Sequence, residues 1–444
     1  MGISNFPAAL QPIIQQNMLE REFHEGLRSA LVFREIADRE VFPAKIGETL
    51  TKTRAGLKAP TTTDIDPTTL DSNLDNGLTA TGWGVEQYVV SVAMTGDTQN
   101  LNMVTQNVGI AKQFLRNAMV NGIQAMQSIE RRARKAIYGA YLGGNTRVTT
   151  ALSSPAATVY VDDVRGFLTV IVNGVQTTVS TAHKMVCTLN DNAYNLQSVA
   201  VDVSNISTAP NGISGTLTFD GNVLVADAGL NSPVVSAVAP LIIRPNGKLT
   251  TADLVKGTDP LLYQDLLTGV GYLRDNGVPG IGEEMATGKG VFNCYLGNSH
   301  LLSLFQDQQF QYLYRGNPND TVQKRAVLED LLGLSFKPTT EAPQQTLSGT
   351  KINRAIICGQ GALIESNFAA TGYTDAYGEN ALIDVVDDIA MVTREPLDRF
   401  GMNIAQSWYW IGGYAVPSDI TANTDIIPTA GNAYFKRAVV VETA

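Results

Sequence analysis

The most regular pattern of apolar positions in this chain is that of a long helix. Val104, Val108, Ala111, Leu115, Ala118, Gly122, Met126, Ile129, Ala133, Ala136 and Ala140 recur at steps of three or four, the α-helical period. The run stops at Gly143-Gly144, where glycine can take the left-handed conformation that closes a helix. At 1.5 Å per residue this helix would be roughly 50 Å long, more than the width of a small domain, so it is expected to act as a spine. Upstream, Ile14, Met18, Leu27, Leu31 and Phe33 are interspersed with Glu20, Arg21, Glu22, Glu25 and Arg28. This spacing predicts an amphipathic arm from Pro12 to about Asp38, entered at a proline.

Between arm and spine the pattern changes. From Val41 to Gly84 the chain is rich in Thr, Asp, Gly and Pro, with isolated apolar residues at Ile46, Leu50, Leu57, Ile65, Leu70, Leu74 and Leu78. A loop of that length inside one compact domain would be anomalous. Within it Thr49, Thr51 and Thr53 alternate with Leu50, Lys52 and Arg54, a strand period in which neither face is apolar enough to make a core layer. "VEQYVVSVAM", Val85 to Met94, reads as the return strand, so the unit is expected to be a long two-stranded excursion. A strand with unpaired backbone groups and no core invites pairing with another chain.

From about 148 to 247 the sequence predicts a self-contained all-β module. Asn173-Gly174 lies between "TVIV" and "VQTTV", and Asp220-Gly221 between "TLTF" and "NVLV"; both are two-residue hairpin signals whose turn needs positive φ. "ATVYV" and "SPVVSAVAPLIIRP" supply further strands. From Leu249 to Gly378 helix ("DLLTGVGYLRDNGV") and strand ("GVFNCYLG", "NRAIICG") mix, and Ile383 to Thr443 returns to strands, including "FGMNIAQSWYWIGGYAV".

Composition narrows the function classes. With 444 residues, 44% hydrophobic and 17% charged, the chain can fill two to four domains and is not disordered as a whole. A formal net charge of -10 argues against a protein whose main task is neutralising phosphates. Cys187, Cys294 and Cys358 are odd in number and widely spaced, giving neither a disulfide framework nor a metal knuckle and fitting a reduced compartment. The first residues lack a basic segment followed by an apolar one, and no apolar run approaches a membrane span. No metal, cofactor or membrane is expected.

Candidate chemistry is sparse. The histidines are His24, His183 and His300. Cys294 and His300, in "CYLGNSH", have the residue types of a nucleophile pair, but a buried strand cysteine followed by a helix-capping Asn-Ser-His accounts for them better. "CGQGALIES" offers Gly-x-Gly after a strand, yet Ile364 replaces the third glycine of the dinucleotide fingerprint, so a turn is expected. The acidic pairs Asp162-Asp163, Glu283-Glu284 and Asp387-Asp388 would point to opposite faces if they lay in strands. "RRARK" is the basic cluster: Arg131, Arg132, Arg134 and Lys135 either touch nucleic acid or form the polar face of the spine, partnered by Glu130 or a neighbour.

The order of parts is more specific than any one of them. A helical arm, a long β excursion, a spine helix, a mixed domain and closing strands resemble the major capsid proteins of tailed phages, the Hong Kong 97-type fold. "VEQYVVSVAMTGDTQNLNMVTQ" resembles that family's junction between extended loop and peripheral domain. "VFNCYLGNSHLLSLFQDQQF" resembles its axial strand and helix, "LEDLLGLSFKPTTEAP" its small-loop passage, and "GNAYFKRAVVVET" its terminal strand. The resemblance covers the chain outside the β module, which is similar to domains inserted in some coat proteins of short-tailed phages.

The resemblance implies an α+β fold divided as follows: an arm at 1–41, an extended loop at 42–96, a peripheral domain with the spine at 97–147, the inserted domain at 148–247, an axial domain at 248–382, and peripheral strands at 383–444. It implies a non-enzymatic shell protein whose pentamers and hexamers enclose double-stranded DNA in a virion, with scaffolding, portal and decoration proteins as partners. A separate scaffolding partner is expected because the arm starts within the first dozen residues. Lys52, Arg54 and Lys58 would lie at intersubunit contacts, and Arg131, Arg132, Arg134 and Lys135 would line the inner surface. The family's lysine-asparagine crosslinking is not implied, because only candidate lysines are identifiable. The competing readings are an encapsulin-like or gene-transfer shell and, from another class, a Cys294/His300 enzyme.

Overall fold

A computed structural model describes residues 10–11, 18–27, 32–42, 49–62, 85–102, 110–172, 175–202, 207–209, 212–281, 290–315, 330–331, 333–368, 383–394, 403–419 and 426–444. Two compact units emerge. The first combines Met1–Thr51, Val89–Ala136 and Leu363–Ala415; the second combines Lys52–Tyr88, Ile137–Ala362 and Val416–Ala444.

The spine helix runs over Ile110–Tyr141, and the start expected at Val104 falls outside the described residues. In the first unit it lies against a six-stranded sheet whose longest strand is Asn403–Ala415. Burial on that strand alternates, with Ile404, Gln406, Trp408 and Trp410 inward. These residues except Gln406 share one apolar cluster with Phe114, Ala118, Ala125, Met126 and Ile129 of the helix. Each large side chain so buried stabilises by about 1.5–3 kcal/mol. Buried Gln406 bonds across the interface, its Nε2 donating to Phe114 O at 3.3 Å, while Asn121 Nδ2 donates to the Gln406 backbone O at 3.4 Å.

The arm helix, Met18–Leu27, adds Phe23 and Leu27 to the same cluster. Close approach is possible because glycines meet: a Cβ on Gly122 would stand 2.6 Å from Phe23 O, and one on Gly26 would stand 2.5 Å from Met119 O. The arm is not helical to Asp38. A short 3-10 turn at Arg34–Ile36 leads into strand Ala37–Phe42, which pairs in parallel with Leu363–Phe368. Glu130 explains the break. Its carboxylate accepts the backbone N–H groups of Val32, Phe33 and Arg34 at 3.0, 2.6 and 3.2 Å, so it ties the arm to the spine. Arg34 and Glu365, both buried, form an ion pair at 2.6 Å beside the parallel strands.

The excursion has the expected two strands, Thr49–Ala55 and Val85–Ser91, paired only with each other among the described residues. No side chain from Thr49 to Arg54 is buried. Residues 63–84 lie outside the described residues. The return strand differs from expectation, since it breaks at Val92 and a second strand, Ala93–Asn102, joins the six-stranded sheet along Asn403–Gly412.

In the second unit the helix ends at Tyr141, and Gly144, with a φ of +78° and its N–H donating to Arg165 O (2.7 Å), turns the chain into the inserted module. Six antiparallel strands follow the order Asn145–Arg147, Pro233–Ser236, Met185–Leu189, Asn192–Val201, Gly215–Val223, Ala156–Val161. They enclose a core of their own that includes Val159, Phe167, Cys187, Leu196, Leu217 and Phe219. The module therefore begins three residues before the expected 148, because Asn145–Arg147 closes it against Pro233–Val235. Thr169–Val172 and Val175–Thr178 form the expected hairpin; its Asn173-Gly174 turn falls outside the described residues. Asp220-Gly221 is not a hairpin. It sits inside strand Gly215–Val223 as a bulge between Thr218 and Val223, with Gly221 at φ +130°.

The axial sheet has seven strands. Along Ile242–Ile243, Ala438–Thr443, Thr350–Cys358, Phe292–Leu296, Leu334–Pro338 and Asp330–Leu331 the strands lie side by side, and Gln344–Leu347 is added on Thr350–Cys358. Helix Tyr263–Asp275 covers it, with Leu266, Val270 and Leu273 in its core. This corrects the expected division twice. The terminal strand Ala438–Thr443 belongs to the axial sheet rather than with Ile383–Ala415, and Leu363–Phe368 belongs to the six-stranded sheet rather than to the axial domain. A strand's partner, not its neighbour in sequence, decides where it is buried.

Candidate assembly interface

The residues expected at intersubunit contacts fall on the described part of the excursion. Lys52 and Arg54 are half-buried on strand Thr49–Ala55, and Lys58 is exposed just beyond it. Arg54 is met within its own chain: its Nη1 lies 3.3 Å from Asp419, which also accepts Arg437 Nε at 2.7 Å. An acid of the same subunit thus answers the charge that was expected to seek one on a neighbour. Apolar exposure is the stronger sign of a partner. Leu57, Val85, Val89 and Met94 are 54%, 42%, 53% and 68% exposed, while Tyr88 and Val90 on the return strand are buried.

The basic cluster of the spine divides. Arg132 donates to Thr95 Oγ1 at 2.5 Å and lies 5.8 Å from the Trp410 ring centroid, a cation–π contact that uses it structurally. Arg131 and Lys135 are exposed one turn apart, on one helix face, with Arg134 half-buried. Glu130 is engaged with the arm backbone.

The nucleophile reading of Cys294 and His300 lacks the required protonation states. Both are buried, and burial pushes the Cys294 thiol up to about 12 and the His300 imidazole down to about 4. The thiol is held neutral by burial, and the His300 ring accepts the Gly297 N–H at 3.4 Å rather than a thiol proton. His24 is exposed on the arm helix. Gln360-Gly361 is a turn, with Gly361 at φ +72°. Asp387 and Asp388, at φ +50° and +64°, form the two-residue turn joining Ile383–Val386 to Ile389–Arg394 rather than a strand. Glu283-Glu284 lies outside the described residues. Among those residues no three His, Cys, Asp or Glu side chains could hold a metal, and no helix is long and apolar enough to cross a membrane.

Sequence reasoning missed a cluster of charges around a cavity of about 50 Å³ where the inserted module meets the axial sheet. On the axial side Glu442 accepts Arg354 Nε at 2.7 Å, Arg244 Nε at 2.8 Å and Thr251 Oγ1 at 2.9 Å. Burial by itself would raise this carboxyl, but Arg354 and Arg244 hold it down, to about 2. On the module side Arg147 pairs with Asp162 at 3.1 Å and Arg165 with Asp163 at 2.5 Å. Adjacent Asp162 and Asp163 each have a separate arginine. Local sequence gives no signal for partners spread from Arg147 to Glu442.

The whole architecture has counterparts. The capsid structure of the cyanophage P-SCSP1u is similar with a TM-score of 0.50 at 10% identity, covering 94% of this chain and 89% of that one. The capsid of Ralstonia phage GP4 gives 0.46 at 9% identity (94% and 90% covered), and that of cyanophage Pam1 gives 0.45 at 12% (94% and 93%). No protein-family model and no curated protein matches the chain. The likeness to the P-SCSP1u capsid establishes the fold: this chain has the α+β fold of a phage capsid protein, as its sequence led us to expect.

Proposed function

We propose that this chain is the major capsid protein of a tailed phage, assembling into pentamers and hexamers whose closed shell encloses double-stranded DNA in the virion. The observation that carries the reading is the capsid fold combined with a two-stranded excursion that has no core of its own and leaves Leu57, Val85 and Val89 exposed. Such edges and apolar patches are covered when a second copy packs on them. Lys52 and Lys58 would reach that neighbour, with Arg54 steadied by Asp419. Arg131 and Lys135 would face packaged DNA without reading its sequence, consistent with an acidic chain that does not grip phosphates strongly.

Electron microscopy of particles purified from the native source, with assay of nuclease-protected nucleic acid, tests this. Icosahedral shells containing protected double-stranded DNA are expected. Shells without nucleic acid would favour an encapsulin-like compartment, and absence of any shell would overturn the assignment.

A further inference from the structure

The cavity between module and axial sheet has a composition that packing alone does not require. Four guanidinium groups, on Arg147, Arg165, Arg244 and Arg354, line it against three carboxylates, on Asp162, Asp163 and Glu442. The balance is one positive charge. Each carboxylate is already saturated: Asp162 accepts Arg147 and Thr208, Asp163 accepts Arg165 and the Ile213 N–H, and Glu442 accepts two arginines and Thr251. The surplus is on Arg354. It is 2% exposed, gives Nε to Glu442 and Nη2 to Gln345 (2.6 Å), and its Nη1 has no hydrogen-bond partner among the described residues. A buried guanidinium N–H without an acceptor is costly.

We propose that this cavity holds a free tetrahedral oxyanion of the phosphate or sulfate class, bound by Arg354 Nη1 and the surrounding arginines, between the inserted module and the axial sheet. Size agrees with this occupant. One water-sized atom needs roughly 10–15 Å³ of such space, so about 50 Å³ takes the four oxygens of a tetrahedral ion. Planar guanidinium donors match oxyanion geometry. Leu249, 64% exposed, marks the way in. The ion would add a joint to one the protein already makes through Gln345, whose Nε2 donates to Thr208 O of the module. The inference is independent of the shell reading.

Thermal unfolding of the full chain in inorganic phosphate, against sodium chloride of equal ionic strength, tests it. Phosphate should raise Tm saturably by about 2 °C. Ala209→Glu, which places a carboxylate on the cavity lining, should abolish the rise and leave Tm in chloride close to that of the natural chain. Equilibrium dialysis with radiolabelled phosphate provides a measurement that does not depend on the variant: one ion per chain, displaced by sulfate and not by chloride. No saturable rise, a rise equally large in Ala209→Glu, or no bound phosphate on dialysis would each overturn the proposal.

Discussion

The excursion begun by Thr49–Ala55 and the inserted module from Asn145 to Ser236 are both β structure. They differ in what they bury. The module encloses Val159, Phe167, Leu196, Leu217 and Phe219 at 0 or 1% exposure, whereas the excursion's first strand has no buried side chain from Thr49 to Arg54. A two-stranded ribbon alone is marginal in water, and a six-stranded sheet with a packed face is a folding unit. One insertion therefore has a core of its own, and the other, on the function proposed above, is covered by a second copy.

Deleting Leu50 to Thr81 should have the largest effect and confine it to assembly. Scanning calorimetry of the isolated subunit should show a melting curve within a few degrees of the natural one, while electron microscopy finds no closed shells. An unfolded deletion variant would place the excursion with the module as an intramolecular element. The reverse result is expected for the module. Phe219→Ala should cost about 3–5 kcal/mol, the range for a buried aromatic, measured by denaturant unfolding of a fragment covering 145–247. A fragment starting at 148 should unfold earlier, since it lacks the strand paired with Pro233–Val235.

Legibility in the sequence follows the same divide. Periodic apolar positions placed the spine helix and the module because both carry local patterns; Ala118, Met126 and Ile129 were read as inward and are buried. Failures came where a residue's role depends on a distant partner. Asp220-Gly221 has hairpin chemistry, but its neighbours pair with Ala156–Val161 straight through a bulge. Asn190-Asp191 and Asp387-Asp388 turn real hairpins without the Asn-Gly signal, with asparagine and aspartate tolerating positive φ. Terminal residues Ala438–Thr443 continue a run of strands in sequence, yet their register is set by Asn353–Cys358. The proposed interface rests in the sequence on a missing core and not on contacts: Arg54's acid, Asp419, is hundreds of residues away.

Acid should weaken the axial side of the charged cavity, where Glu442 accepts Arg354, Arg244 and Thr251. Glu442 titrates at about 2 instead of the ordinary 4.5, so its stabilisation is complete above about pH 4.5 and is lost as pH falls toward 2. The shift corresponds to roughly 3 kcal/mol. Glu442→Gln should be less stable than the natural chain by about that amount at pH 7. The gap between them should close between pH 4.5 and 2 in denaturant titrations. A gap unchanged at pH 2 would mean that packing, not charge, sets the contribution of Glu442.

The smallest effect separates two cations on the same excursion. Lys58 is exposed, so Lys58→Glu should leave the subunit's Tm unchanged. Any contact it makes with a neighbour is worth only ~0.2 to 1 kcal/mol, but the loss recurs at every copy in a closed lattice. The expected readout is a shift in the salt concentration at which shells assemble, followed by light scattering, because such pairs are screened within about 10 Å at 0.1 M salt. Arg54→Glu should behave differently. It sets a carboxylate beside Asp419, already 2.7 Å from Arg437, and replaces attraction with repulsion inside one chain. Subunit Tm should then fall modestly together with assembly. If Lys58→Glu lowered Tm as much as Arg54→Glu, the excursion would be held by its own subunit along its length, and the contrast with the module would shrink to one of size.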